Sequence, residues 1–375
     1  MKTIFLVLCL VVGYVYAGYP MVLWLLGRNR EATMGPSTLP RVTLFIPVYN
    51  EERVIGDKLL NSLQLDYPRE KLEIVVASDG STDRTAGIVK AFANHGVTLH
   101  ETTKRCGKNS VINEFAARAC GEILIFTDAN SMFDKLAVRR LIERFAVETV
   151  GCVVGDLRYV CEDTPVGKGE GLYFRYESLL KQLESKIGNV VTGNGAIYAM
   201  RKALLAPIAL DVPNDFAHPM HVAAQGYQVV FEDRARAFER ATQCAREEFS
   251  RRVRIVNRSF TAFMRYARDA KLMASLWGFC FVSHKLLRWF VPFMLVGVLV
   301  VNLFLLTSPV FRAALIVQGM FYVLGLVGLL VGRKIGRLAT VPSYFLLINV
   351  AAFKGILQYF CGQRQAMWEA ASTTR

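Results

Sequence analysis

The sequence lacks most of the short signatures by which chains declare their chemistry. Its eight cysteines (Cys9, Cys106, Cys120, Cys152, Cys161, Cys244, Cys280 and Cys361) include no Cys-x-x-Cys pair, which excludes zinc sites built on spaced thiols and dithiol redox motifs. Two of them fall inside apolar runs, and as a set they read as reduced, small apolar fillers. There are five histidines. His218 and His221 stand three apart, but no Cys, Asp or Glu completes a zinc set around them, so they read as structural. Phosphate loops of the usual kind are missing too. Cys106-Gly107-Lys108-Asn109 contains Gly-Lys, yet position 102 is Thr where a P-loop needs Gly, and Asn109 stands where Ser or Thr would hold magnesium. Gly167, Gly169 and Gly171 do not fit the dinucleotide fingerprint. Acidic residues are in deficit, 31 against 45 Lys and Arg, for a net charge of +14. The surplus gathers in residues 234–271 and beside the apolar runs rather than on an aromatic-interleaved face. That distribution points to a membrane surface and away from nucleic acid.

Long hydrophobic runs are present in quantity. Mean hydropathy is +0.30, and the apolar residues concentrate at the two ends of the chain. Residues 1–27 follow a charged start with an apolar run. A small-residue site near Ala17 raises the alternative of a cleaved signal peptide, but the run continues to Gly27. That is longer than the roughly 20 residues a span requires, and it favours a retained anchor with Arg28 and Arg30 on the cytoplasmic side. Residues 290–306 and 313–331 read as an out-and-back hairpin, joined at Thr307, Ser308 and Pro309 and followed by Arg333, Lys334 and Arg337. Residues 341–361 carry Asn349 and Lys354 mid-run, so the segment either spans, dips in or lies at the interface. Residues 260–288 mix cations with Phe263, Tyr266, Leu272, Met273 and Trp277, a pattern suited to helices on the bilayer surface. The expected organisation is an anchor (1–27), a cytoplasmic globular domain (41–258), interfacial helices (259–289), a C-terminal membrane region of two or three segments (290–361) and a basic tail (362–375).

The globular part alternates short β-rich runs with helix-length stretches. VTLFIPV, LEIVVAS and EILIFT are apolar throughout, which predicts an α/β domain with a mostly parallel sheet covered on both faces. Ligands of such sheets lie beyond the carboxyl ends of the strands. There the chain places Tyr49-Asn50-Glu51-Glu52, Asp79-Gly80-Ser81-Thr82-Asp83 and Asp128-Ala129-Asn130. Each has a structural alternative: Asn50, Ser81 and Thr82 are good helix caps, and Asp-Gly is an ordinary turn. Three acidic strand ends on one edge point further, to carboxylates that handle phosphate through a divalent cation.

With these motifs the chain resembles the membrane-integrated family 2 glycosyltransferases, relatives of hyaluronan, chitin and cellulose synthases and of ceramide glucosyltransferase, over about residues 42–258. The resemblance implies a GT-A fold that binds a nucleotide sugar. It assigns the nucleotide side to Pro47, Asn50, Glu51 and Asp79, to Lys108 with Asn113 in a Gly-Lys-x-x-x-x-Asn stretch, and to Asp128. The family's Asp-x-Asp metal motif corresponds to Asp128-Ala129-Asn130, with a neutral amide at its second position, and implies Mg2+ or Mn2+. The family's catalytic carboxylate corresponds to Asp215 in Pro213-Asn214-Asp215, ahead of Gly226-Tyr227, as general base; the alternative reading makes Asp215 the cap of a helix starting at Phe216. A Gln-Arg-x-Arg-Trp motif that clamps diphosphate and acceptor corresponds to Arg251-Arg252-Val253-Arg254-Ile255, without the tryptophan. Thr192-Gly193-Asn194-Gly195-Ala196 resembles the family's acceptor-side strand. Ser283-His284-Lys285-Leu286-Leu287-Arg288-Trp289 is also familiar from bacterial members and receives no chemistry.

The expected activity is inverting transfer from a nucleotide diphosphate sugar, UDP foremost, to a glycan or lipid-linked acceptor in envelope or exopolysaccharide synthesis. Membrane lipids and export machinery are the expected partners. Polymer extension, a single addition to a polyprenyl phosphate or sphingolipid, and an inactive transferase-like scaffold are the three alternatives. Few membrane segments and Ile255 in place of tryptophan favour the single addition, whereas the long C-terminal membrane region and the arginine cluster favour a synthase.

Overall fold

The computed structural model describes residues 1–28, 39–160, 165–241, 245–266, 269–331 and 337–363. Cys161, Cys244, Arg30, Arg333, Lys334, the side chain of Arg337 and the tail from 364 lie outside them. The strands are β1 (Val42–Val48), β2 (Leu72–Ser78), β3 (Val97–Glu101), β4 (Ile123–Phe126), β5 (Met132–Phe133), β6 (Val150–Val160), β7 (Tyr198–Arg201) and β8 (Gln228–Arg240). They form one sheet in the order β3-β2-β1-β4-β7-β6-β8-β5. β1 is buried along its whole length, as expected of an apolar strand covered on both faces.

The sheet is mixed. β1, β2, β3 and β4 run parallel, and β6 runs parallel to β8, whereas β4 with β7, β7 with β6 and β5 with β8 are antiparallel. The strand-helix alternation legible in the sequence ends at β4; four of the seven strand pairings are parallel, as expected, and the antiparallel ones all involve β7 or β5. The change of direction at β4 and β7 builds the site. β7 enters beside Phe126, its Tyr198 paired with that residue, so residues 192–197 arrive at the edge from which Asp128 leaves. The end of β6, the end of β8 and the start of β5 come to the same edge, because Val154 pairs with Tyr198 and Met132 with Phe238. Such a reversal of strand order is where open α/β sheets form their ligand crevice.

The helices used below are α1 (Lys2–Gly27), α2 (Ile55–Leu63), α3 (Thr85–Lys90), α4 (Lys108–Phe115), α5 (Ala137–Glu143), α6 (Pro165–Lys186), α7 (Asn214–Ala224), α8 (Ala245–Tyr266), α9 (Leu276–Leu303), α10 (Pro309–Val331) and α11 (Thr340–Phe360). Side-chain alternation divides the sheet into two faces. Leu44, Ile46, Ile74, Val76 and Ile125 pack with α2 and α5. Phe45, Val75, Phe126 and Tyr198 face α4, α7 and α8, and their core continues into Tyr19, Leu23, Phe281, Trp289 and Ile356. Across three neighbouring strands Phe45, Phe126 and Tyr198 form a ladder with centroid spacings of 5.7 and 5.0 Å, each contact contributing about 0.5–1.5 kcal/mol beyond its area. One hydrophobic core therefore joins the sheet to the apolar helices.

Among the described residues four helices, α1, α9, α10 and α11, are long and apolar enough to cross a membrane. The first arm of the expected hairpin begins at Leu276, fourteen residues earlier than the apolar run suggested. Residues 259–289, where described, comprise the end of α8, a short helix at Ala270–Met273 and the start of α9. The carboxylates around the start of α9 stand on α6. Glu170, Glu177 and Glu184 recur at a seven-residue spacing on one face of that helix and are all buried. Glu184 accepts hydrogen bonds from Tyr19 (2.7 Å) and meets His284 (2.6 Å); Glu177 pairs with Lys285 (2.9 Å) and Arg288. The cations that make residues 284–288 look interfacial are neutralised by a helix a hundred residues away. In α11 the Asn349 amide donates to the Phe345 carbonyl at 2.9 Å and Lys354 lies 5.6 Å from the Phe249 ring centroid. The two polar residues that left this segment undecided thus have local partners.

Candidate active site

A cavity of about 360 Å³ opens at the converging edge and runs from Lys108 and Asp128 to Tyr16, Arg288 and Asn349 of the membrane-length helices. Asp128 follows β4 and accepts a hydrogen bond from Lys108 Nζ at 2.5 Å. Its turn is fastened from behind by Lys58. This lysine is fully buried, donates to Thr127 Oγ1 at 2.9 Å and to the Ser131 carbonyl, and lies 4.1 Å from the Phe133 ring centroid. Burial pushes the Lys58 ammonium down to about 7, with Asp128 and Glu239 opposing the fall. Glu239, at the end of β8, accepts from the Ser131 hydroxyl. Burial first, then the charge of Asp128, raises it to about 7.

Among the described residues no three His, Cys, Asp or Glu side chains form a metal cluster. The cavity offers a hard cation the Asp128 carboxylate and the Asn130 amide oxygen. These residues fit Mg2+ or Mn2+, cations that take their remaining oxygens from phosphate and water. Gly195 faces the same point: a Cβ built on it would stand 2.9 Å from Asp128 Oδ2. Gly195→Ala is expected to displace the Asp128 carboxylate and weaken nucleotide binding by about tenfold with little change in thermal stability, readable by calorimetric titration. Unchanged affinity would remove Asp128 from the nucleotide side.

Asp215 lies across the cavity in the first turn of α7. The helix begins at Asn214 behind Pro213, with no side-chain cap, so the capping alternative fails. The Asp215 carbonyl instead accepts from the Gly193 amide at 2.7 Å, tying α7 to the 192–196 segment. Its carboxyl is raised above the ordinary aspartate value, chiefly by burial and also by Asp128, while Lys108, Lys181 and Arg258 hold it down. Burial and a neighbouring carboxylate both make a carboxylate more basic. Asn214 donates to the Tyr198 hydroxyl at 2.7 Å, which meets His218 Nδ1 at 2.9 Å. His218 is a buried structural histidine, lowered to about 3 by burial.

The nucleotide-side residues split. Lys108, Asp128 and Asn130 line the cavity; Pro47, Asn50, Glu51, Asp79 and Asn113 do not. The Asp79 carboxylate receives the Cys106 and Gly107 amides at 2.6 and 2.9 Å, so it fastens the Gly-Lys stretch to the end of β2. Gly80 allows that approach with a positive φ of 66° and Lys104 backbone 2.7 Å from any Cβ it might carry. Asn50 ties the first strand end to the second, its Oδ1 accepting the Thr82 amide at 2.8 Å; it does not cap α2, whose cap is Val54. Glu51 is buried, and its amide donates to Thr85 Oγ1 at 2.7 Å. Asn113 exchanges two hydrogen bonds with the Ile208 backbone, at 2.8 and 2.9 Å.

Arg251, Arg252 and Arg254 all line the cavity, and so does Ile255. Arg251 is paired with Glu170 and with Glu248 at 2.6 Å, and Arg252 with Glu248 at 2.7 Å and the Tyr344 hydroxyl at 2.8 Å. The sequence reading passed over Lys181, Glu239 and Arg258, which line the same cavity. The seven-residue spacing of Glu170, Glu177 and Glu184 was the available sign that α6 belongs to a charged interior. The cysteine expectation holds for the buried Cys152 and Cys280 and fails for Cys106, Cys120 and Cys361, which are exposed free thiols.

Residues 43–205 match the model of glycosyl transferase family 2. The chain carries a family 2 glycosyltransferase domain. Asp215 and the arginine cluster lie beyond the matched residues. The probable glycosyltransferase YdaM of Bacillus subtilis (strain 168) is 35% identical over 128 residues, 32% of this chain and 30% of that protein. A poly-beta-1,6-N-acetyl-D-glucosamine synthase of Staphylococcus aureus (strain COL) is 26% identical over 213 residues, 54% of this chain and 51% of that one. The chain thus spans about half the length of the synthase and under a third of YdaM. A mannosyltransferase from Pyrobaculum calidifontis, solved in complex with GDP-Man and Mn2+, superposes with a TM-score of 0.70 over 94% of this chain and 99% of its own, at 24% identity. The fold around the family 2 domain is the GT-A glycosyltransferase fold.

Proposed function

We propose that the chain is a membrane-embedded, inverting glycosyltransferase that moves a sugar from a nucleoside diphosphate, UDP foremost, to the hydroxyl of a membrane-associated acceptor. The observation that carries this reading is one cavity in which a half-buried carboxylate of raised pKa, Asp215, shares the lining with Asp128, Asn130, Lys108 and an arginine cluster. The catalytic domain spans about 41–258 and faces the cytoplasm. Asp215 takes the proton of the acceptor hydroxyl as its oxygen attacks the anomeric carbon; the bond from that carbon to the diphosphate breaks, and the nucleotide leaves with the electron pair. A single displacement inverts the anomeric centre. Lys108 and Arg254 stabilise the charge growing on the leaving group. A divalent cation held by Asp128 and Asn130 would screen the diphosphate. Asp79, Asn50, Glu51, Pro47 and Asn113 shape the loops that take up the nucleotide, and Arg251 and Arg252 line the acceptor side from within their glutamate pairs.

The test is turnover of radiolabelled UDP- and GDP-sugars by the full chain in vesicles. Nucleoside diphosphate release, abolished by chelation and restored by Mg2+ or Mn2+, is expected. Absence of both donor binding and release would overturn the reading. Extension of a polymer is the second reading, favoured by the synthase relative; the exposed Ile255, where the family motif has tryptophan, speaks for a single addition.

A further inference from the structure

The Asp128-Ala129-Asn130 turn offers a divalent cation a single negative charge, since its second oxygen belongs to a neutral amide. Affinity for a hard cation rises with the charge of its oxygen ligands. A second carboxylate reaches the same cavity from a distant strand. Glu239, at the end of β8, is half-buried and lines the cavity together with Asp128 and Asn130. The antiparallel pairing of Met132 with Phe238 and of Phe133 with Ala237 lays β8 beside the turn that follows β4. There the Ser131 hydroxyl donates to Glu239 Oε1, so the glutamate is fastened to the residue next to Asn130.

The turn itself is clamped by α2. Lys58 holds Thr127 and the Ser131 carbonyl, and Asn61 exchanges two hydrogen bonds with the Phe133 backbone, at 3.0 and 2.8 Å. Oxygens presented from rigid elements suit a metal site. The charges nearby leave Glu239 open to a ligand. Asp128 and Glu170 face it with like charge, Arg251 and Lys58 with opposite charge. Arg251 is spent on Glu170 and Glu248, and Lys58 donates to Thr127 and Ser131. Lys108 answers Asp128 at 2.5 Å. Glu239 has no ion pair among the described residues, and of its two oxygens only Oε1 is hydrogen-bonded there. Two carboxylates that share one cavity repel, and a cation between them removes the repulsion.

We propose that Glu239 is a direct ligand of the divalent cation and supplies the negative charge that Asn130 does not. Asp128 and Asn130 serve the cation from the β4 turn and Glu239 from β8, while diphosphate and water complete its shell. This rests on the cation in the transferase reading and adds a residue to its site.

The experiment measures Mn2+ binding to the full chain in detergent micelles, with UDP and separately with GDP, from the EPR signal of the free ion. Glu239→Gln keeps the size of the side chain and an oxygen for the Ser131 hydroxyl. It is expected to raise the Mn2+ Kd about tenfold or more, with the metal-free nucleotide Kd changed by less than about twofold. Ser131→Ala removes the hydrogen bond and leaves the carboxylate, so its effect is expected to fall well short of that. Asn130→Asp introduced into Glu239→Gln is expected to restore most of the affinity, because the charge returns to the same cation. An unchanged Mn2+ Kd in Glu239→Gln overturns the proposal, and a weaker UDP-sugar affinity beside it would assign Glu239 to the sugar hydroxyls. Equal losses in Ser131→Ala and Glu239→Gln overturn it as well, since the carboxylate would then act only through the turn. So does an Asn130→Asp substitution that recovers nothing. A parent chain that turns over donor yet binds no Mn2+ with either nucleotide overturns the proposal and leaves the transferase standing; one that does neither removes both.

Discussion

Asp215→Asn is expected to lower turnover by about 10² to 10⁴, the usual worth of a positioned general base, while the donor KM stays within about twofold. The substitution keeps the shape and removes the basic oxygen. Thermal stability is not expected to fall, since a carboxylate partly withdrawn from water is costly to keep ionised and the amide relieves that cost. This combination separates catalysis from structure: an inactive protein with a lower melting temperature would instead indicate that Asp215 holds α7 in place. In the parent protein the base acts only when deprotonated. Burial and Asp128 raise its pKa above the ordinary aspartate value, outweighing Lys108, Lys181 and Arg258. The acid limb of kcat/KM is therefore expected above the range of a normal aspartate, with activity lost as pH falls through it. A profile flat down to pH about 4, the ordinary carboxylate range, would assign the proton to another group.

Glu248→Ala is expected to cost about 3–5 kcal/mol of stability, the usual effect of removing one partner from a buried charge cluster. Glu248 is fully buried and accepts from Arg251, Arg252 and the Tyr344 hydroxyl. Without it two guanidinium groups lose their shared counter-charge, and Tyr344 of α11 keeps only Arg252 of its two α8 partners. In detergent the apparent Tm is expected to fall by roughly 5 °C or more. A Tm within 1 °C of the parent would show that Glu170, Tyr159 and Tyr344 suffice. The pH dependence follows from the same cluster. Burial opposes ionisation, but Arg252 and Arg251 overrule it and hold the Glu248 carboxyl down to about 2. With a depressed folded-state pKa, its contribution is complete above the unfolded glutamate value and drains away as pH falls toward 2.

Both predictions separate residues by surroundings that no motif reveals. Asp79 and Asp128 look alike in the sequence, each an aspartate after an apolar strand. In the fold Asp128 faces the cavity beside Lys108, whereas Asp79 collects two backbone amides and anchors the loop that delivers that lysine. Asn50 and Asn113 are likewise spent on neighbouring loops. Arg251 and Arg252, which the family motif assigns to diphosphate and acceptor, line the cavity, and the sequence does not show Glu170 and Tyr344 paired with them. Of the cations in residues 260–288, Lys285 and Arg288 meet Glu177 of α6 and Arg265 meets Asp211, pairings that the sequence does not show.

The sequence by itself determined the apolar ends, the α/β middle, the parallel half of the sheet and the strand-end acidic residues, because periodicity and strand-end chemistry are local properties. Tertiary structure alone decided that β7, β6 and β8 extend the sheet beyond β4, that Asp215 shares a cavity with Asp128, and that this cavity reaches Tyr16 and Arg288 of the membrane-length helices. Those facts depend on partners far apart in the chain, such as Phe126 with Tyr198, Met132 with Phe238 and Tyr16 with Arg288. Pairing over such distances is set by the packing of whole faces and by charges finding counter-charges in a dry interior, and neither is written in any one segment.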